Sequence, residues 1–202
     1  MGRWRSPALL VPLSMLKAAK PPTTIERAGM ISECIRRARE EECSVLADLV
    51  RNSFQDVANQ FNITSDNCPT HPSNCTAEWI RNECKKGTEY FILLENSTAI
   101  GCVALERANR EVYYLERLAV LPAYRERGYG HMLVDYCLEQ ARARQAKRVE
   151  TSLIADHWEL VEWYRRLGFR FKQRARFNHL PFAVTFMYYD LEEQFVYDLA
   201  AA

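Results

Sequence analysis

The stretch that decides the fold is Leu118-Ala119-Val120-Leu121-Pro122-Ala123-Tyr124-Arg125-Glu126-Arg127-Gly128-Tyr129-Gly130-His131-Met132-Leu133, beyond the midpoint of a 202-residue chain. It starts as the end of a β-rich run and stops at a proline. A short turn of the form Arg-x-x-Gly-x-Gly follows and opens at once into an amphipathic helical pattern. Such a turn presents backbone N–H groups at the positive end of a helix dipole, an arrangement that holds a phosphate or pyrophosphate. Gly128 and Gly130 let the backbone approach an anion closely or take positive φ, while Arg125 and Arg127 add charge. A Rossmann turn would need a third glycine that is missing here, and a P-loop would need a Gly-Lys-Ser/Thr that does not follow.

Upstream of this stretch, three β-forming runs, Tyr90–Leu94, Ala99–Leu105 and Val112–Leu121, are joined by connections short enough for hairpins, which predicts an antiparallel meander. Before them, residues 31–37 alternate loosely as a first strand. Leu46, Leu49, Val50, Phe54, Val57 and Phe61 then fall on one face of a helix over about 40–60. The segment 62–76, with Pro69, Pro72, Asn67 and Asn74, is turn chemistry. Thr76 is placed to cap a helix over 77–86 that Gly87 ends.

Downstream, Met132, Leu133, Tyr136, Cys137 and Gln140 share a helical face from Gly130 on. A strand over 149–153, a helix over about 157–167, a strand from Phe169 and a last strand near 182–189 complete the order. Strand, helix, strand, helix over 112–167 implies a parallel pair with a right-handed crossover. The fold class is therefore mixed α/β, with a mostly antiparallel central sheet flanked by helices. Residues 1–29 read as a flexible extension, 30–190 as the folded domain and 191–202 as a tail that packs on the domain or on a second copy, so a homodimer stays open.

Three motifs together, Tyr114-Leu115-Glu116-Arg117-Leu118-Ala119-Val120-Leu121-Pro122, Arg125-x-x-Gly128-x-Gly130 and Tyr164-x-x-x-Gly168-Phe169, resemble the GNAT (GCN5-related) N-acetyltransferases. The resemblance covers about 31–190 and is most specific over 112–172. It implies a sheet that splays at its parallel pair and acetyl-CoA as co-substrate, with its pyrophosphate in the turn Arg125, Glu126, Arg127, Gly128, Tyr129, Gly130 and His131. It also implies a pantetheine arm along the backbone of Leu118, Ala119 and Val120.

By the period of two, Glu116 shares a strand face with Leu118 and Val120, and the resemblance implies a place near the attacking amine, where a carboxylate is a plausible general base; the other reading is a surface glutamate paired with an arginine. Tyr114, two residues earlier, is a candidate to position the acceptor. The resemblance implies that Tyr164 lies near the leaving sulfur, where a phenol protonates it or hydrogen-bonds to it, although Leu160, Trp163, Tyr164 and Leu167 also read as core. Where many relatives carry an asparagine on the pantetheine arm this chain has His157, either a cofactor contact or an exposed helix cap. The segment between the first two helices lines the acceptor cleft in this superfamily, which makes His71 a substrate-binding candidate.

Composition narrows the partners. Lys+Arg 27 against Asp+Glu 26 leaves no global pull toward nucleic acid or an anionic membrane, and 48% hydrophobic with 26% charged residues is globular. The apolar run Ala8–Leu13 is far shorter than the roughly 20 residues that cross a bilayer. Seven cysteines without repeated spacing read as reduced thiols in a cytoplasmic protein, and three Asn-x-Ser/Thr sequons as chance. Cys68-x-x-His71-x-x-x-Cys75 does not have the spacing of a paired zinc knuckle, so no metal is expected. The resulting function is acetyl transfer from acetyl-CoA to a primary amine of a small molecule or peptide in a ternary complex. The alternative is a non-catalytic acyl-CoA sensor.

Overall fold

The computed structural model describes residues 34–192. The proposed extension and the tail beyond Glu192 lie outside the described residues, as does the start of the first predicted strand. The described elements run β1 (Ile35–Arg37), α1 (Cys43–Gln60), α2 (Ala77–Lys85), β2 (Glu89–Glu95), β3 (Thr98–Arg107), β4 (Val112–Val120), α3 (Tyr129–Ala143), β5 (Arg148–Ile154), α4 (Trp158–Arg166), β6 (Arg170–Arg176) and β7 (Ala183–Asp190). The strands form one seven-stranded sheet in the order β1-β2-β3-β4-β5-β7-β6. All neighbours are antiparallel except β4 and β5. The expected mixed α/β architecture is therefore the observed one.

Local chemistry accounts for the element ends. Asn96 and Ser97 both have positive φ (49° and 66°), which gives the β2–β3 hairpin the twist its flanking strands need. The Thr76 hydroxyl accepts a 3.1 Å bond from the Trp79 N–H and starts α2. On α1, Leu46, Leu49, Val50, Phe54 and Val57 are buried as their spacing predicts. On α3 the buried stripe is Leu133, Val134, Cys137, Leu138 and Ala141, whereas Met132, Tyr136 and Gln140 are only half-buried. The predicted face was thus rotated. The helix is covered on both flanks: Phe91 of β2 stacks edge-on against Tyr136 at 5.0 Å, and Cys137 neighbours Tyr164 of α4. Among the described residues no helix is long and apolar enough to cross a membrane.

Two irregularities of the sheet shape its centre. β4 and β5 pair only at Val112–Arg148, Tyr113–Val149 and Tyr114–Glu150 and then part, so the rest of β4 and the stretch Thr151–Ile154 face each other across a split. β4 also carries a bulge. Cys102 pairs with Ala119 but Ala104 pairs with Glu116, so β4 contains one residue more than β3 over that interval, and Arg117 sits in the left-handed region with φ 52°.

The bulge corrects the strand face read from the sequence. Partners across a ladder share a face, so Glu116 lies with Ala104, Cys102 and Ala119, and not with Leu118 and Val120. Val120 pairs with Gly101 on the other face, where Leu133 of α3 packs. The Glu116 face is the one under α2, since Tyr90, paired with Ala104, bonds to Glu83 of that helix. The α1 helix packs against α2 and on the same two central strands.

The two central strands come close at Gly101. A Cβ there would lie 2.7 Å from the Ala119 carbonyl oxygen and 3.3 Å from a Val120 methyl, so backbone must move. Gly101→Ala is expected to cost about 1–3 kcal/mol, a fall in melting temperature of roughly 5 °C for a chain of this size. Thermal unfolding followed by circular dichroism checks it, and an unchanged midpoint would show that the strands part freely there.

Candidate active site

The turn predicted to hold an anion has the backbone for it. After the 3-10 turn Pro122–Tyr124, Glu126 (φ 64°) and Gly128 (φ 85°) alternate left-handed with Arg127 between them, and Gly128 is the N-cap of α3. Alternation of this kind turns successive N–H groups into one concavity. The first intrahelical bond of α3 is Met132 N–H to the Gly128 carbonyl, 3.1 Å, so the N–H groups of Tyr129, Gly130 and His131 have no partner within the helix. The concavity opens at the C-terminal end of β4, at the mouth of the β4–β5 split.

The side chains of the turn behave differently from the expectation. Arg125 is buried and all three of its guanidinium nitrogens are engaged. Nε donates to the Val120 carbonyl at 3.1 Å, Nη2 to the Ser53 carbonyl at 3.0 Å, and Nη1 pairs with Asp56. Its charge therefore ties β4 to α1 and is not offered to an anion in the turn; the Val120 carbonyl, predicted to meet a pantetheine arm, already accepts this bond. Arg127 stays at the surface, bonded to the Ala123 carbonyl at 3.3 Å and lying 5.5 Å over the Tyr124 ring. The Tyr129 hydroxyl bonds to Glu95, and burial together with that carboxylate pushes the phenol up to about 12. His131 sits 3.4 Å from Asp135, one turn along α3.

On the face under α1 and α2, Glu116 is 8% exposed, with Tyr114 two residues earlier on the same face. His71 is fully buried against Phe54, ring centroids 6.1 Å apart. Its Nδ1 accepts from the Ser73 N–H at 3.2 Å, which places the ring proton on Nε2. Burial and the nearby Arg117 charge depress its pKa to about 3, so the ring is neutral, and Nε2–H is a buried donor without a protein partner. His71, Glu116 and Arg117 therefore belong to one neighbourhood. Cys68 and Cys75 on the same loop are buried, and burial pushes the Cys75 thiol up to about 12. Among the described residues no three His, Cys, Asp or Glu side chains are placed to hold a metal, and all seven cysteines are free thiols.

On the opposite wall of the split, Tyr164 is 2% exposed and packs edge-on against Trp163 and Phe169, at 4.9 and 5.0 Å. Burial pushes its phenol well above the ordinary range, and the Thr151 hydroxyl of β5 only partly offsets this. The group is thus a held proton. The Phe169 N–H bonds back to the Tyr164 carbonyl at 3.0 Å, which explains the spacing Tyr-x-x-x-Gly-Phe as the closing turn of α4. His157 is fully buried, which removes the exposed-cap reading. It caps α4 by backbone only, its ring lies 5.6 Å from that of Phe61, and neither ring nitrogen has a hydrogen-bond partner. Burial lowers its pKa.

Sequence reasoning missed a group beneath Glu116. Arg117 is 1% exposed; its Nη2 donates to Glu83 at 2.8 Å and its guanidinium lies 4.9 Å over Trp79. Glu83 also accepts from Trp79 Nε1 at 2.7 Å and from the Tyr90 hydroxyl. Burial opposes ionisation of Glu83, but the Arg117 charge and these bonds outweigh it and hold the carboxyl below its usual range. In the sequence Glu83 is one of several scattered acids, and nothing in its spacing points to β4.

Residues 55–169, more than half of the chain, match the model of the acetyltransferase (GNAT) family. Over 102 residues the chain is 28% identical to an uncharacterised N-acetyltransferase of Methanocaldococcus jannaschii, a match that takes in 48% of this chain and 44% of that relative, so it spans less than half of the relative's length. Among solved structures, the PaiA N-acetyltransferase from Thermoplasma acidophilum in complex with coenzyme A matches with a TM-score of 0.65 at 15% identity, over 77% of this chain and 97% of that one. A GNAT-family acetyltransferase from Staphylococcus aureus gives 0.59 at 21%, over 78% and 98%. At these identities the likeness is one of fold.

Proposed function

Because this chain belongs to the GNAT acetyltransferase family, we propose that it moves an acetyl group from acetyl-CoA to a primary amine in a ternary complex, with no acyl group carried by the protein. The observation that carries this reading is the N–H concavity of residues 126–131 at the mouth of a split strand pair, with a buried carboxylate on β4 and a buried phenol on α4. Acetyl-CoA supplies the activated acetyl as a thioester.

The chain supplies the rest. Backbone N–H groups at the α3 N-terminus hold a diphosphate with the help of the helix dipole. The split offers strand backbone to a pantetheine arm on both sides. Glu116 accepts a proton from the acceptor ammonium, since an amine attacks only as the free base, and Tyr114 and His71 position the acceptor. As the new C–N bond forms and the C–S bond breaks, the phenol of Tyr164 gives its proton to the departing sulfur, burial having kept it in place until then; the second proton of the attacking nitrogen leaves to solvent, and solvent restores the phenol and removes the proton from Glu116 before the next turnover. His157 is the remaining polar group proposed to meet the arm: its ring is buried, neither nitrogen makes a hydrogen bond, and Nδ1 lies 3.6 Å from the Glu159 carboxylate.

Purified protein tests this with a CoA-release assay across a panel of small amines, amino acids and peptides. Turnover with at least one class is expected. Saturable acetyl-CoA binding without any turnover would instead favour a sensor that has kept the fold. Within a responsive reaction, Tyr164→Phe is expected to lower kcat by about 100-fold, the lower end of the range for loss of one acid group, with little change in acetyl-CoA affinity. An unchanged kcat would move the proton source elsewhere.

A further inference from the structure

The left-handed residue in the middle of β4 has a consequence for Glu116. For a residue with a Cβ, φ 52° costs roughly 1–2 kcal/mol relative to the extended form, and such a conformation persists only where its surroundings over-determine it. At Arg117 they do. The guanidinium is buried, stacked over Trp79 and bonded to a Glu83 that is itself fixed by Trp79 and Tyr90. Two elements of the fold, α2 and β2, therefore hold one side chain of a third.

What the bulge decides is the side of the sheet on which the carboxylate stands. Val120 is tied to the α3 face by Gly101 and Leu133. In an unbroken strand Glu116 would share that face, four residues earlier. The extra residue sends Glu116 to the opposite face, with the loop that carries His71. Arg117 points to the same side, as its bonds to α2 require. We infer that Arg117, locked by Glu83, is a positioning residue whose grip on the β4 bulge sets Glu116 where the acceptor is deprotonated. The inference rests on the reading of Glu116 as the proton acceptor. Arg117 need not touch either substrate.

A kinetic cycle and a binding-free measurement test it. Turnover of a responsive amine is compared for the wild type, Glu83→Gln and Arg117→Met, each also combined with Glu116→Gln. Glu83→Gln is expected to lower kcat about tenfold with the KM for acetyl-CoA nearly unchanged, and the loss should vanish when Glu116 is already glutamine, because coupled residues are non-additive. A loss of equal factor in both backgrounds, or no loss, overturns the inference. Because Glu83→Gln removes only one partner of the arginine, it keeps the test open should Arg117→Met not fold.

The second measurement follows the Glu116 carboxyl by carbon-13 NMR, with no acceptor present. The charged or ionisable groups on this face are Arg117 and Tyr114 of β4, Glu83 of α2, Tyr90 of β2, Glu106 and Cys102 of β3, and His71 and Cys75 of the loop. With the cation gone, Arg117→Met should raise the midpoint by about one pH unit. An unmoved midpoint overturns the inference. A midpoint that moves in a protein that turns over no amine retains the placement of Glu116 by Arg117 and sinks the acetyltransferase reading alone.

Discussion

Gly128→Val is expected to weaken coenzyme A binding by about 100-fold while the protein stays folded, as the loss of one to two charge-assisted hydrogen bonds predicts. A Cβ at this position would meet nothing within 4 Å, so crowding is not the reason. The reason is φ 85°, a conformation that a β-branched residue resists. Relaxing it rotates the peptide planes on either side of the N-cap, and those planes carry the N–H groups that converge on the anion. Gly128→Asn is the control, since asparagine tolerates the left-handed region and should keep affinity within a few-fold. Isothermal titration with coenzyme A reads both. Desulfated or dephosphorylated fragments are not needed, because the prediction concerns the diphosphate cradle alone. Undiminished affinity for the valine variant would remove the cradle from the proposed site.

How much of this was legible in the sequence depends on the scale of the signal. The turn 122–130 was legible because it is local: a proline ends the strand, two glycines flank one helical start, and no distant residue is needed to explain them. The order β2-β3-β4 followed from short connections. The bulge was not legible. Nothing between Val112 and Val120 is a glycine or proline, and Arg117 takes positive φ only because α2 and β2, some thirty residues earlier, hold its side chain. Period-two reading therefore carried Glu116 to the wrong face while still identifying it as the carboxylate of interest.

The free charge expected of Arg125 and the exposed-cap reading of His157 fall for a related reason. Composition places a cation in the anion turn, but the chain position does not say which way the guanidinium runs, and α1 supplies two acceptors, Ser53 and Asp56, that capture it. His157 looks like a surface cap until Phe61, at the end of α1, is folded over it. For His157 long-range packing chose between two readings that the sequence left open, and for Arg125 it overrode the one local reading, as expected where tertiary structure overrides local preference.

Glu116→Gln is the substitution with the largest expected effect on turnover, a loss of about 100- to 1,000-fold in kcat, within the range for removal of a general base. The amide is nearly isosteric, so the bulge, Arg117 and the pairing with Ala104 need not move. What is lost is the ability to take a proton, since an amide nitrogen and oxygen cannot hold one at neutral pH. Acetyl-CoA affinity should therefore stay within a few-fold, because the cradle and the split do not involve this side chain. The direction of the pH dependence is also fixed. A carboxylate base is active when ionised, so the wild type should lose activity as pH falls, and that acid limb should be absent from the glutamine variant. At high pH the acceptor ammonium increasingly loses its proton to solvent without help, so the deficit of the variant should shrink as pH rises toward the amine's own pKa. Steady-state rates from pH 6 to 10, at saturating acetyl-CoA, separate these cases. A deficit that is constant over the whole range would mean that Glu116 acts by packing or by charge and that the proton leaves through another group.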